Sequence, residues 1–88
     1  MNENPKGYHL EEIPRGEYGE ISKILEEAAE LKDAMEQGLK LMCLVELSDI
    51  IGAIEGYLER YYDGKITITD LLNMSYATKR AFESGGRK

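Results

Sequence analysis

KILEEAAELKDAMEQGLKLMCLVELSDIIGAIEGYL, residues 23–58, is the stretch that decides the fold of this chain. Before Gly38, apolar residues recur at steps of three and four, a pattern that predicts an amphipathic helix. After Gly38, apolar residues surround most of the circumference, which predicts a central helix contacted from several directions. Because glycine favours the end of a helix, the stretch predicts two helices joined at Gly38 as an antiparallel hairpin.

The remainder of the chain predicts an irregular arm and a third helix. Residues 1–16 contain both prolines and predict an arm without regular structure, which the side chains of Tyr8, Leu10 and Ile13 would hold against the helices. Residues 17–88 predict a single all-α domain.

Capping residues and glycines set the expected helix boundaries. The first two helices are predicted at about residues 17–37 and 39–62. The third should begin at an N-cap formed by Thr69 or Asp70 and continue to about residue 83, before the glycine pair at 85–86.

A chain of 88 residues is one domain with limited room for a core. The apolar circumference of the second helix therefore predicts a helical bundle completed by homo-oligomerisation, as a homodimer or homotetramer. Ser48, Gly52 and Gly56 recur at four-residue steps and predict a ridge of small residues where a second helix backbone approaches closely.

Charge and cysteine content exclude several classes of function. The net charge of −6 argues against direct nucleic-acid binding, which needs a positive field. Cys43 is the single cysteine, so neither an intrachain disulfide nor a zinc-type cluster is expected. The apolar run at 39–58 is interrupted by charged residues and the N-terminus is polar, so neither a membrane span nor a signal peptide is predicted. We expect a cytoplasmic protein.

Four acids stand out in the predicted hairpin. Glu27 and Glu30 are spaced i, i+3 on the first helix, and Glu46 and Asp49 have the same spacing on the second. Glu30 and Glu46 each lie eight residues from Gly38, and Glu27 and Asp49 each lie eleven. In an antiparallel hairpin all four carboxylates reach one level, roughly 12–16 Å from the turn.

Carboxylates gathered on packed faces must stay protonated, find basic partners or coordinate a metal. The basic-partner option is weak because Lys23 and Lys32 reach only part of the cluster. Oxygen ligands without nearby sulfur or imidazole favour Mg²⁺, with Mn²⁺ as a second choice. His9 lies far from these acids along the chain, so a carboxylate–histidine di-iron site is a minor alternative.

The plainer interpretation of such acids is a solvated helix face. Glu-x-x-Glu is common on exposed helices, and four further glutamates are expected to be ordinary surface residues: Glu26, Glu36, Glu55 and Glu59. The acids of the second helix lie in an otherwise apolar run, and the matched distances from Gly38 favour a metal site.

A Mg²⁺ carboxylate site commonly bridges protein acids to substrate phosphates and promotes attack of water on phosphorus. Residues 73–88 carry four basic side chains and one acidic side chain, against seven basic and sixteen acidic in residues 1–72. Lys79, Arg80 and Arg87 in this basic segment are candidate phosphate donors. Their alternative role is to complement the dipole at the end of the third helix.

The pair Glu27-Ala-Ala-Glu30 and Glu46-Leu-Ser-Asp49 within residues 23–58 resembles the core of MazG-like, all-α nucleoside triphosphate pyrophosphohydrolases. The resemblance covers about residues 17–88, and the basic ending of the chain is similar to that of compact, phage-type members. It implies Mg²⁺-dependent hydrolysis of a nucleoside triphosphate to the monophosphate and pyrophosphate, in a bundle completed by dimerisation.

By the same resemblance, the four acids are the metal ligands and catalytic residues, and the ending TKRAFESGGR gives Lys79, Arg80 and Arg87 a role in substrate binding. Two rival functions remain open at this stage. One is a non-catalytic helical interaction module that uses its acidic face to bind a basic partner. The other is a nucleotide-binding sensor that keeps the site but hydrolyses slowly.

Overall fold

The computed structural model describes residues 7–83, apart from the side chain of Phe82. Within this range the chain forms three α-helices and no strand: α1 spans Ile21–Glu36, α2 spans Lys40–Tyr62 and α3 spans Ile68–Glu83. The all-α prediction is confirmed for the described part of the chain.

Helix α1 begins at Ile21, later than the predicted start near Glu17. Gly19 has φ +91°, a left-handed backbone conformation that cannot continue a helix. The Glu17 N–H instead donates a hydrogen bond to the Ser22 hydroxyl oxygen at 3.0 Å, in the turn before the helix. The irregular segment therefore continues to residue 20, beyond the predicted boundary at 16.

Helix α1 ends in a Schellman motif built on Gly38. The Leu39 N–H donates to the Ala34 carbonyl at 3.0 Å, and the Gly38 N–H donates to the Met35 carbonyl at 3.0 Å. Gly38 has φ +74°, which a residue with a Cβ rarely adopts. The predicted end of the first helix at Gly38 is confirmed.

Two left-handed residues and a capping box separate α2 from α3. Asp63 and Gly64 have φ 53° and 71°, which confirms the predicted turn. The Asp70 N–H donates to Thr67 Oγ1 at 3.3 Å, and the Thr67 N–H donates to Asp70 Oδ2 at 2.8 Å. Thr67 is therefore the N-cap, and the prediction of Thr69 or Asp70 is wrong by two or three residues, since the reciprocal pair fixes the earlier start.

Helices α1 and α2 pack side by side, while α3 contacts α2 and lies clear of α1. Just before α1, Glu20 accepts a hydrogen bond from the Tyr61 hydroxyl at 2.5 Å and pairs with Arg60 Nε at 3.0 Å. Nearer the connection between the two helices, carboxylate oxygens of Glu30 and Glu46 lie within 4.8 Å of each other. These contacts place acids from both helices at one level.

The described chain buries little apolar surface. Among the described residues, the buried apolar side chains are Ala34, Ala53 and Leu58, and two of these three are alanines. The Cα radius of gyration is 15.7 Å, against about 12 Å for a compact chain of this length. On α2, large apolar side chains remain exposed at Leu41 and Leu44. The described chain therefore leaves much of its apolar surface without a partner.

The small residues of the predicted ridge on α2 do not share one environment. A Cβ placed on Gly56 would lie 2.6 Å from the ring of Tyr18, so the irregular segment and not a second helix occupies this position. At Gly52 nothing lies within 4 Å, and Ser48 is exposed. The close approach at Gly56 is therefore intrachain, because the arm returns to the far end of α2.

We expect Gly56→Ala to lower the free energy of unfolding by about 1 kcal/mol, because the added methyl group displaces the Tyr18 ring. Urea denaturation measures the change. In a Tyr18→Ala background the same substitution should instead stabilise by about 0.5–1 kcal/mol, since alanine favours a helix interior over glycine. A loss of equal size in both backgrounds would contradict the role of the ring.

Candidate metal centre

The four acids singled out in the sequence converge. Glu27 and Glu30 on α1 and Glu46 and Asp49 on α2 each offer a carboxylate oxygen, and these oxygens lie within 4.8 Å of one another. Glu27 and Glu46 are buried, with 6% and 3% of their surface exposed. Glu30 is half-buried and Asp49 is exposed, so the cluster runs from the helix interface to the solvent.

Two buried carboxylate oxygens in this cluster have no hydrogen-bond partner among the described residues, Glu27 Oε1 and Glu46 Oε1. The opposite oxygens are occupied: Lys23 Nζ lies 3.1 Å from Glu27 Oε2, and the Tyr8 hydroxyl donates to Glu46 Oε2 at 2.5 Å. Leaving a buried polar atom unpaired costs about 1–3 kcal/mol. Because divalent cations bind such oxygens, these residues fit a hard metal ion.

The cluster resists full ionisation. Burial, together with Glu27 and Glu46, raises the pKa of Glu30 to about 8. Burial and the same two neighbours also raise the pKa of Asp49. In the absence of a cation, the cluster therefore retains a proton near neutral pH, which a bound metal would displace.

The raised pKa of Glu30 predicts how pH acts on the metal-free protein. The ordinary carboxyl value is 4.5 and the folded value about 8, so between them the unfolded chain releases a proton that the folded chain keeps. The free energy of unfolding must then fall as pH rises through this window. We expect the melting temperature in EDTA to decrease from pH 4.5 to pH 8. In Glu30→Gln the melting temperature should depend less steeply on pH.

Two other carboxyls act outside that window. The pKa of Glu26 and the pKa of Asp33 are lowered, so their stabilising effect is lost only as pH falls below the ordinary carboxyl range.

Saturating Mg²⁺ should flatten the decline of the melting temperature between pH 4.5 and pH 8, since metal binding favours the deprotonated cluster more at higher pH. A melting temperature that rises across this window without metal would contradict the prediction.

Glu26 is not the ordinary surface residue that the sequence suggested. It is half-buried, and its Oε1 accepts hydrogen bonds from the Gly16 N–H at 2.8 Å and from Lys23 Nζ at 3.1 Å. Burial opposes ionisation of Glu26, but the Gly16 N–H and Lys23 outweigh it and lower its pKa. Lys23 therefore bridges Glu26 and Glu27 and reaches one edge of the cluster.

His9 is close to the cluster, which corrects the expectation that it lies far away in the arm. Its Nε2 is 3.6 Å from Glu46 Oε2, and its Nδ1 is 3.3 Å from Asp33 Oδ1. Tyr8 stands beside it, with the ring centroids 4.0 Å apart. Burial and the neighbouring Glu46 raise the pKa of Tyr8, which keeps its hydroxyl a hydrogen-bond donor. The arm folds back over the helix pair and covers Glu46.

Asp33 is the anchor of the arm, and sequence reasoning missed it. The side chain is buried and accepts hydrogen bonds from the N–H groups of Leu10 and Glu11 at 3.1 and 3.2 Å, and from Gln37 Nε2 at 2.6 Å. Burial opposes ionisation of Asp33, but these donors, Gln37 foremost, lower its pKa. The sequence offered one signal for Asp33, because it follows Glu30 at the same i, i+3 spacing that relates Glu27 to Glu30.

Leu10 was expected to hold the arm by its side chain, but that side chain is 70% exposed and the backbone makes the attachment. Ile13 is half-buried, in line with the expectation that it contacts the helices.

The basic residues proposed as phosphate donors are not gathered at the acids within one chain. Lys79 and Arg80 are exposed on α3, and no ion pair within residues 7–83 joins them to the four acids. Since α3 lies clear of α1, they stand apart from the acids of that helix. Arg87 lies outside the described residues.

Comparisons of this chain with known protein families, curated proteins and solved structures find no match. Across the described helices, none combines the length and the apolar content that crossing a membrane requires. Because the comparisons give no family, the metal-compatible acidic cluster is the feature that indicates a function.

Proposed function

We propose that this chain is a metal-dependent nucleoside triphosphate pyrophosphohydrolase, which converts an NTP or dNTP to the monophosphate and pyrophosphate. The observation that carries the proposal is the convergence of Glu27, Glu30, Glu46 and Asp49, with two buried oxygens left without partners. The same residues form the motif pair that resembles the MazG-like enzymes.

In this proposal the four acids hold Mg²⁺, with Mn²⁺ as a substitute. When bound, the metal supplies neutralisation of the phosphate charge and a lowered pKa for the attacking water. Asp49 is the exposed member, so we assign it the position nearest the incoming substrate. Its carboxylate accepts the proton of the water whose oxygen bonds to phosphorus, while the bond to the pyrophosphate oxygen breaks.

The proposed substrate must arrive with its charge compensated, because an acidic cluster repels a bare polyphosphate. We assign Lys79, Arg80 and Arg87 to phosphate binding. Because α3 lies clear of α1, we infer that these residues act across a subunit interface, on the cluster of a second copy.

We further infer that α1 and α2 form an antiparallel hairpin and that homo-oligomerisation, as a dimer or tetramer, completes the bundle. The pairing of Glu20 with Arg60 and Tyr61 supports opposite helix directions. The exposed apolar side chains on α2 support burial against another subunit.

The decisive assay incubates purified protein and Mg²⁺ with canonical, deoxy and modified nucleoside triphosphates, and measures pyrophosphate and orthophosphate separately. We expect pyrophosphate and monophosphate in equal amounts from at least one substrate, with EDTA abolishing the reaction. Orthophosphate alone would indicate a different bond cleavage. No turnover with any substrate would contradict the enzyme proposal.

A non-catalytic interaction module is the second candidate, and the exposed apolar side chains are the observation that favours it. Calorimetric titration with Mg²⁺ and Mn²⁺ separates the two. Saturable metal binding that is lost in Glu27→Gln supports the metal site. No metal binding by the unmodified protein supports the module. Nucleotide affinity without turnover would instead identify a sensor.

A further inference from the structure

We propose that His9, Glu30 and Glu46 form a second, nitrogen-containing subsite that binds a transition-metal divalent ion such as Mn²⁺, Fe²⁺, Co²⁺ or Zn²⁺ in preference to Mg²⁺. The subsite shares two acids with the proposed magnesium centre, but it does not depend on the chain being a hydrolase. It adds a metal preference that the four acids alone would not create.

The geometry of the three side chains fits one ion. One ligand atom from each lies within 4.8 Å of the others, and His9 Nε2 is 3.6 Å from Glu46 Oε2. Ligand atoms bound to one ion at about 2.0–2.2 Å are separated by about 3–4 Å. The pair formed by His9 and Glu46 already has this spacing, and Glu30 completes the group with a small inward movement.

Burial gives a second reason for a ligand at Glu46, and the four-acid centre shares this reason. The side chains of His9 and Glu46 are only 8% and 5% exposed. Glu46 Oε1 is buried and has no hydrogen-bond partner among residues 7–83. An ionised oxygen in that environment is costly unless a cation or donor meets it. The second oxygen, Oε2, accepts the Tyr8 hydroxyl hydrogen bond and has a remaining lone pair for a metal.

Asp33 orients the imidazole. Its Oδ1 lies 3.3 Å from His9 Nδ1, which is buried and makes no full hydrogen bond among the described residues. Gln37 and the Leu10 N–H hold the Asp33 carboxylate in place. A carboxylate facing one imidazole nitrogen favours the proton there and leaves the other nitrogen free to bind a metal. The free nitrogen is Nε2, which faces Glu46.

Ligand chemistry determines the class of ion. Mg²⁺ prefers oxygen ligands and water, whereas an imidazole ligand favours later divalent metals. The four acids offer only oxygen, so the approach of His9 is what distinguishes this subsite. The alternative is that His9 only tethers the arm through its two acidic neighbours, Glu46 and Asp33.

A spectroscopic test uses the fact that the chain contains a single histidine. Tag-free, metal-free protein labelled with ¹⁵N is titrated with Zn²⁺ and, separately, with Mg²⁺, while the imidazole nitrogen signals are followed. We expect Zn²⁺ to shift the Nε2 signal in the manner of direct coordination, and Mg²⁺ to leave it largely unchanged. An unshifted Nε2 signal at saturating Zn²⁺ would overturn the subsite.

Calorimetry with variants gives the second measurement. We expect His9→Ala to weaken Co²⁺ binding at least about 10–100-fold while changing Mg²⁺ affinity little, and Asp33→Asn to weaken Co²⁺ binding about 10-fold. Asp49→Asn should mainly weaken Mg²⁺, since Asp49 belongs to the four-acid group alone. Leu10→Ala is the matched control, because Leu10 is next to His9 in the chain but its own side chain is exposed.

The outcomes separate this inference from the proposed function. Equal losses of Co²⁺ and Mg²⁺ affinity in His9→Ala, or no loss of either, would reduce His9 to an arm tether and overturn the subsite. Pyrophosphate release with Mg²⁺ would still support the hydrolase. Conversely, His9 coordination of Zn²⁺ without any nucleotide hydrolysis would support the subsite and remove the hydrolase.

Discussion

Glu46→Gln should lower the rate of pyrophosphate release at least about 1000-fold, with the helices intact. Glu46 is 3% exposed and provides an unpartnered oxygen at the centre of the cluster. Metal stabilisation of charge at a transition state is worth several kcal/mol, and each 1.4 kcal/mol corresponds to about a tenfold change in rate. The neutral amide of glutamine is a poor substitute for a carboxylate ligand.

The same substitution should not unfold the protein. Glutamine keeps the shape of the side chain, and its carbonyl oxygen can still accept the Tyr8 hydroxyl hydrogen bond. It also removes one of four clustered acids, so the melting temperature of metal-free protein should stay equal or rise. Activity is measured by pyrophosphate release and folding by circular dichroism.

Glu55→Gln is the matched control, because Glu55 is exposed on the same helix and is not in the acidic cluster. We expect the control to retain activity within about threefold, since exposed charges contribute little. Retained activity in Glu46→Gln would remove Glu46 from the mechanism. A loss of activity accompanied by unfolding would show that its role is structural.

Paired replacement of Leu44 and Ile51 by aspartate should dissociate the proposed oligomer. The outer face of α2 is formed by Leu41, Leu44 and Ile51, which are 72%, 62% and 49% exposed in the described chain. At about 100° per residue, the outer face lies on the side of the helix opposite Glu46. The substitution therefore removes interface contacts without touching the acids.

The expected effect is large because burying each side chain of this size is worth about 1.5–3 kcal/mol, and an unpaired buried charge costs more. Association should weaken by more than about 1000-fold, with loss of activity if the phosphate donors act from a second subunit. Sedimentation velocity over a concentration series measures the change. Leu10→Ser, an exposed apolar position on the arm, is the control and should leave the oligomer intact.

A wild-type chain that is monomeric at all accessible concentrations would contradict this prediction. Helix α3 also exposes Leu72, Met74 and Tyr76. If the double aspartate variant remains oligomeric, α3 and not the outer face of α2 supplies the main interface.

Local patterns predicted the helices well and their starting points less well. Apolar periodicity identified all three helices, and Gly38 marked the end of α1 because a left-handed residue is needed there. The start of α1 was missed because Gly19 adopts φ +91°, although glycine also occurs inside α2 at Gly52. Sequence alone does not reveal which of these glycines leaves the helical conformation.

The acidic cluster was predictable because its members are related by helix geometry alone. The i, i+3 spacing and equal distances from Gly38 require nothing beyond regular helices and a tight connection. The environment of His9 was not predictable in this way. Its contacts with Asp33 and Glu46 join residues far apart in the chain, and they depend on the path of an arm without regular structure.

The sequence by itself determined the helices and the common level of four carboxylates, because a helix fixes positions by a constant rise and turn per residue. Only the tertiary structure decided which oxygens are left without partners, that Asp33 anchors the arm, and that His9 reaches Glu46. These features depend on contacts between distant segments, and such contacts follow from the complete packing of the chain and not from any local repeat.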